Sequence, residues 1–133
     1  MNKILITGGS GVLGSALAKK LQVQNLDFLT ISRSRSKTNH YSPTTEVPDL
    51  PWQYADLLTG EGLDEALTGR DTVFHLASIP RQTNHDHPEI KLMQNLLKAA
   101  KNKGIRHLIY ISIVGVDKIP LPYYRAKLEA EQL

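Results

Sequence analysis

The chain has 133 residues, 41% of them hydrophobic and 22% charged, with a formal net charge of +3. That length suits one domain, and that balance excludes a disordered, collagenous or disulfide-stapled protein. There is no cysteine, which removes thiol catalysis and thiolate metal ligation and fits a reducing compartment. A solvated basic surface accounts for the mild charge, so neither nucleic acid nor a membrane is expected as a partner. The opening MNKILITGG is too short in apolar residues for a signal peptide. No run approaches the roughly 20 apolar residues of a membrane span, and a cytoplasmic protein is the expectation.

The elements follow in chain order. Lys3–Thr7 (KILIT) is a short Ile-rich run ended by glycine, which predicts a buried strand. From Val12 onward Leu13, Leu17 and Leu21 recur every four residues, with Ala16 and Ala18 between them, as on a helix. Phe28–Ser32 is a second strand. Residues 39–51 hold three prolines and read as a loop. Trp52–Ala55 is a third strand and Gly60–Leu67 a short helix. Thr72–Ala77 is a fourth strand.

Pro88–Lys103 is the clearest helix, with Ile90, Met93, Leu97 and Ala100 on one face and Gly104 placed to end it. Ile105–Ser112 is a fifth strand. Leu121–Leu133 is a final helix with Leu128 inward and Glu129 and Glu131 outward. Strands alternating with helices predict a parallel α/β sheet, doubly wound, of the Rossmann type. The chain stops inside its last helix without a breaker, so residues 1–133 read as one domain that forms the N-terminal part of a longer protein. Without further strands, an exposed sheet edge would favour pairing, which makes a homo-oligomer an open expectation.

TGGSGVLG at 7–14 lies where the first strand meets the first helix. Backbone N–H groups at a helix start, with the helix dipole behind them, attract anions. Gly8 permits the tight turn, Gly11 lets backbone approach a pyrophosphate, and Gly14 lets helix pack on strand. The strand–loop–helix–strand context marks the loop as a dinucleotide site. Enzymes that use NAD place an acid at the end of the second strand to accept from the ribose 2′-hydroxyl. Here the sequence is ISRSRSK: Ser32 holds that position and Arg33 follows, with Arg35 and Lys37 beyond. A planar guanidinium suits a phosphate, so NADP (NADPH) is expected over NAD.

Three segments taken together, TGGSGVLG, DTVFHLAS at 71–78 and YYRAK at 123–127, resemble the short-chain dehydrogenase/reductase superfamily. The form of the glycine loop and the FHLA strand is similar to its extended and atypical branches, including the NmrA-like proteins. The resemblance implies that Gly8, Gly11, Val12, Leu13, Gly14, Ser32 and Arg33 hold the cofactor. It also implies that Asp56 and Leu57 lie near the adenine, and Ala77 and Ser78 near the ribose and nicotinamide. Tyr123 and Lys127 match a YxxxK pair and Ser112 the family's catalytic serine. Four residues apart, Tyr123 and Lys127 share one helix face, and an ammonium beside a phenol favours the phenolate. Tyr123 would then exchange a proton with a carbonyl oxygen while Ser112 bonds the same oxygen.

Three positions depart from the family pattern. Ile113 stands where many relatives have a second serine, Leu92 and Met93 replace a Gly–Thr pair, and Glu89 stands where Asn or Asp is usual. The expected function is hydride transfer between NADPH and a carbonyl- or quinone-type small molecule. The alternatives are a non-enzymatic NADP-binding regulator of NmrA-like type and a sugar-nucleotide epimerase or dehydratase. The missing acid after the second strand counts against the last.

NHDH at 84–87 suggests a metal through His85 and His87, with Asp86 between them, but there is no third ligand at a clear spacing. A solvated loop is expected, and no metal. Its neighbour Arg81 is expected over the cofactor in this fold. His75, inside an apolar strand, is expected to be a hydrogen-bonded structural residue, and Trp52 and Tyr54 to be packing or surface cover.

Overall fold

The computed structural model describes residues 2–35, 49–82 and 87–133. Five strands are present there: β1 (Lys3–Thr7), β2 (Asp27–Ser32), β3 (Trp52–Tyr54), β4 (Thr72–His75) and β5 (His107–Tyr110). Four helices join or follow them: α1 (Val12–Val23), α2 (Leu63–Leu67), α3 (Pro88–Lys103) and α4 (Pro122–Glu131). All neighbouring strands are parallel, in the order β3-β2-β1-β4-β5. This is the expected doubly wound sheet, with β1 at its centre and the chain reversing direction between β1 and β4.

The sheet buries both faces, which is why its strands read as apolar runs rather than alternating ones. On one face Ile4, Ile6 and Phe28 pack with Ala18 and Leu21 of α1. On the other, Leu5, Ile31 and Val73 pack with Leu63, Ala66 and Leu67 of α2 and Leu96 and Ala99 of α3. Alternate residues of β1 thus serve opposite cores, as the period of two in a strand requires.

The element bounds shift from the sequence expectation for local reasons. α2 starts at Leu63 rather than at residue 60, because Gly60 and Gly62 hold φ of +83° and +76°, outside the helical region. β4 stops at His75 because β1 stops at Thr7, whose Oγ1 accepts the next two amides, Leu76 N–H at 3.1 Å and Ala77 N–H at 3.0 Å. β5 keeps only the four residues paired with β4. Helix faces shift too. Leu13 is 50% exposed, and α1 buries Gly14, Ala18 and Leu21 instead. α3 buries Glu89, Ile90, Leu92, Met93, Leu96, Ala99 and Ala100, with Leu97 only half-buried. In α4 the buried residues are Ala126, Lys127 and Ala130, and Leu128 is half-buried. Gly104 ends α3 at φ +71° as expected.

The β1–α1 junction depends on missing side chains. A Cβ on Gly14 would lie 2.0 Å from the Gly8 carbonyl oxygen, and one on Gly8 2.6 Å from the Ala77 nitrogen. On Gly11 a Cβ would meet only the Gly8 oxygen at 3.4 Å. Gly14→Ala is therefore expected to destabilise the protein by about 3 kcal/mol, and Gly11→Ala to stay within about 0.5 kcal/mol of the parent. Denaturant midpoints of the two variants check this contrast.

Candidate functional site

The glycine loop leaves the C-terminal end of β1 and turns into α1 at Gly11. No side chain caps that helix start, and its first turn has no acidic residue. Because a side chain at Gly11 would meet so little, this glycine is not required by internal packing. The open space above the bare helix start suits the pyrophosphate of a dinucleotide. Val12 and Leu13, at 64% and 50% exposure, flank this opening as unpartnered apolar side chains.

At the end of β2, Ser32 is held on both sides. Its hydroxyl donates to the Ser34 carbonyl at 2.6 Å and accepts from the Trp52 indole at 2.7 Å. Arg33 is exposed beside it, and Arg35 pairs with Asp49. Lys37 lies outside the described residues. After β3, Asp56 Oδ1 accepts the Leu58 amide at 2.8 Å and so shapes the following turn. Asn95 of α3 donates to the Leu57 carbonyl at 2.8 Å and pins the same turn. These residues line the C-terminal edge of the sheet, where ligands of this architecture bind.

A cluster of buried polar groups forms around a residue whose role the sequence reading missed. Glu89, the second residue of α3, is fully buried. Its Oε2 accepts from the Ser78 hydroxyl and the Ile79 amide, each at 3.1 Å. Its Oε1 accepts from the Tyr110 hydroxyl and from Lys127 Nζ, each at 2.9 Å. Lys127, 4% exposed, also donates to the Ile111 carbonyl at 2.9 Å. Its ammonium lies 4.4 Å from the centre of the Tyr110 ring and 5.9 Å from that of Tyr123. The Tyr123 hydroxyl lies 2.7 Å from Ser78 Oγ.

Tyr123 and Lys127 therefore do share the inward side of α4, as their spacing predicts. Two contacts go beyond what that spacing predicts. The charge of Lys127 is matched first by Glu89, because a buried ammonium requires a counter-charge. The hydroxyl hydrogen-bonded to Tyr123 is that of Ser78, and Ser112 Oγ is buried without a hydrogen-bond partner among the described residues. A signal for Glu89 was present in the sequence. It precedes Leu92, Met93 and Leu96 by three, four and seven residues, which puts a carboxylate on the apolar stripe.

His75 lies under this cluster, stacked on Tyr110 with ring centres 5.4 Å apart. Thr7 Oγ1 already accepts two amides, so its one proton goes to His75 Nδ1, 2.8 Å away. The neutral imidazole then carries its proton on Nε2, which has no partner among the described residues. His75 is the structural, hydrogen-bonded histidine expected. Burial pushes its pKa down to about 4, with Lys127 acting in the same direction and Glu89 against it. The Tyr110 hydroxyl is held protonated by burial first and by the adjacent Glu89 carboxylate second.

Among the described residues no group of three or more His, Cys, Asp or Glu is placed to hold a metal ion. His85 and Asp86 lie outside those residues, and His87 is the residue preceding α3. No helix among the described residues is long and apolar enough to cross a membrane.

A parallel sheet of this order with a glycine loop at the first turn defines a Rossmann-type dinucleotide-binding fold. Residues 4–116 match the NAD dependent epimerase/dehydratase family, and the chain belongs to that family. It is 28% identical, over 98% of its length, to a 2-alkyl-3-oxoalkanoate reductase of Stenotrophomonas maltophilia, of which it covers 44%. It is 31% identical, over 86% of its length, to an uncharacterized UDP-glucose epimerase of Bacillus subtilis, covering 40% of that protein. Its fold superposes with a TM-score of 0.80 on a short-chain dehydrogenase/reductase superfamily protein of Agrobacterium tumefaciens solved with bound NAD. That match covers 98% of this chain and 43% of the other, at 22% identity. The chain thus spans less than half the length of each of these proteins. The resemblance to the extended short-chain dehydrogenase/reductases holds.

The depressed pKa of His75 has a stability consequence. The unfolded chain takes up this proton near pH 6.5, the folded one only near 4. The contribution is therefore complete above about pH 6.5 and is lost as pH falls from there toward 4. Between pH 7 and 5 the loss is about 2 kcal/mol. Urea denaturation at the two pH values should show it, and His75→Gln should flatten that dependence.

Proposed function

We propose that this chain forms the cofactor-binding and acid/base part of an NADP-preferring oxidoreductase that interconverts a small carbonyl or quinone-type compound and its reduced form. The observation that carries the reading is the convergence of Tyr123, Lys127 and Ser78 at the C-terminal edge of the sheet. The glycine loop lies at that same edge.

The bare start of α1, with Gly8, Gly11, Val12, Leu13 and Gly14, would take the pyrophosphate. Arg33 would meet a 2′-phosphate, since Ser32 offers no carboxylate to a 2′-hydroxyl and its one proton is already donated to the Ser34 carbonyl. Asp56 and Leu57 would lie toward the adenine, and Ala77 and Ser78 toward the nicotinamide half. A bound nicotinamide supplies hydride exchange with the substrate carbon. Tyr123 exchanges the proton at the substrate oxygen, and Lys127 holds the positive charge that compensates the phenolate.

A second reading, a sugar-nucleotide epimerase, is favoured by the family match and by the Bacillus subtilis relative. It would retain the cofactor through the reaction, so tightly bound dinucleotide in the purified protein together with UDP-sugar turnover would decide for it. Under the oxidoreductase reading, the full-length protein oxidises NADPH with at least one member of a panel of quinones, aldehydes and ketones. Tyr123→Phe is expected to lower that turnover about a hundredfold or more. Arg33→Ala is expected to erase a preference for NADPH over NADH in titrations followed by fluorescence. Equal affinity for the two cofactors in the parent would sink the phosphate assignment.

A further inference from the structure

The hydrogen-bond directions around Ser78 are fixed by counting protons. The Ser78 hydroxyl has one, and it is donated to Glu89 Oε2. As a carboxylate, Glu89 has no proton to return and only accepts. The 2.7 Å contact between Ser78 Oγ and the Tyr123 oxygen must then be a donation from Tyr123 to Ser78. The phenolic proton points along the chain's own network, which leaves a Tyr123 lone pair available to accept from a substrate hydroxyl.

We infer that Tyr123, Ser78 and Glu89 form a proton relay whose terminal base is Glu89. The inference rests on the acid/base role given to Tyr123 above. In the oxidising direction the substrate alcohol gives its O–H proton to the Tyr123 oxygen. Tyr123 passes its own proton to Ser78 Oγ, and Ser78 passes its proton to Glu89 Oε2. As the C–H bond breaks, its electron pair leaves the alcohol carbon as hydride to the oxidised cofactor, and the C=O bond forms. One alcohol loses a proton and a hydride, and one carboxylate becomes a carboxylic acid. Reduction of a carbonyl runs the same three transfers in reverse, with protonated Glu89 as the source.

The surroundings suit a carboxylate that changes charge without moving. Tyr110 and Lys127 hold Oε1, and the Ile79 amide holds Oε2 beside Ser78. Lys127 lies between Glu89 and the ring of Tyr123 in its contacts, so one cation can serve whichever end of the relay is negative. Burial removes Glu89 from competing water. The relay gives Ser78 a proton-carrying role and makes Glu89 a positioning residue and proton acceptor that acts through Ser78.

Two measurements test this on the full-length protein. The first reads no activity. With carbon-13-labelled glutamate, the infrared difference between the parent and Glu89→Gln at neutral pH should show a lost carboxylate stretch. A lost carboxylic-acid stretch would overturn the proposal, because the direction of the Tyr123 hydrogen bond would no longer be fixed. The second uses NADP+ with the alcohols corresponding to the panel compounds that are reduced. Ser78→Ala, a small change that keeps Glu89 paired with Lys127, should lower turnover about a hundredfold. The bowed dependence of rate on deuterium fraction expected of several moving protons should become a straight line, and Ser78→Thr should restore both. If Ser78→Ala keeps the parent's rate and curvature while Tyr123→Phe is inactive, the relay is wrong and the role of Tyr123 stands. If Tyr123→Phe is as active as the parent, the underlying reading falls as well.

Discussion

A carboxylate without access to solvent must be satisfied by the chain that buries it. Glu89 meets this condition by drawing together the residues after β4, the end of β5, and α3 and α4. Lys127 is buried in turn and has no other anion within reach among the described residues. The two charges therefore fix each other, and with them the approach of α4 to α3. Tyr123 is carried to the sheet edge on that helix. Where its hydroxyl lies follows from where the ion pair lies.

The same edge is assembled from the other side by a constraint of the opposite kind, the absence of side chains. Gly14 and Gly8 approach so closely that no Cβ fits, which brings α1 down onto β1. Thr7 closes this region by accepting the two amides that follow β4 and by donating to His75. The glycine-loop end depends on close backbone packing and the Tyr123 end on buried polar groups. The shared strand ends β1 and β4 hold the two in one frame.

Glu89 also sets the electrostatics of its neighbours. One carboxylate touches Ser78, Tyr110 and Lys127 together. The lysine ammonium lies against both that buried carboxylate and the Tyr110 ring. Both oxygens of that carboxylate are hydrogen-bonded.

The sequence by itself determined the alternation of strands and helices, the parallel sheet and the glycine loop. These depend on local properties: apolar runs of strand length, glycines at fixed steps, and Gly104 at the end of α3. It also placed Tyr123 and Lys127 on one face, because that is a matter of helix period. It did not determine helix faces where the buried side is lined by small or charged residues, as with Gly14, Ala126 and Lys127, since hydrophobic spacing points to leucines. Nor could it pair Ser78 with Tyr123, 45 residues apart, or Glu89 with Lys127. Those pairings are decided only when the sheet order brings β4 beside β5 and α3 beside α4. Which of several nearby hydroxyls a tyrosine meets is then a matter of ångströms that no periodicity encodes.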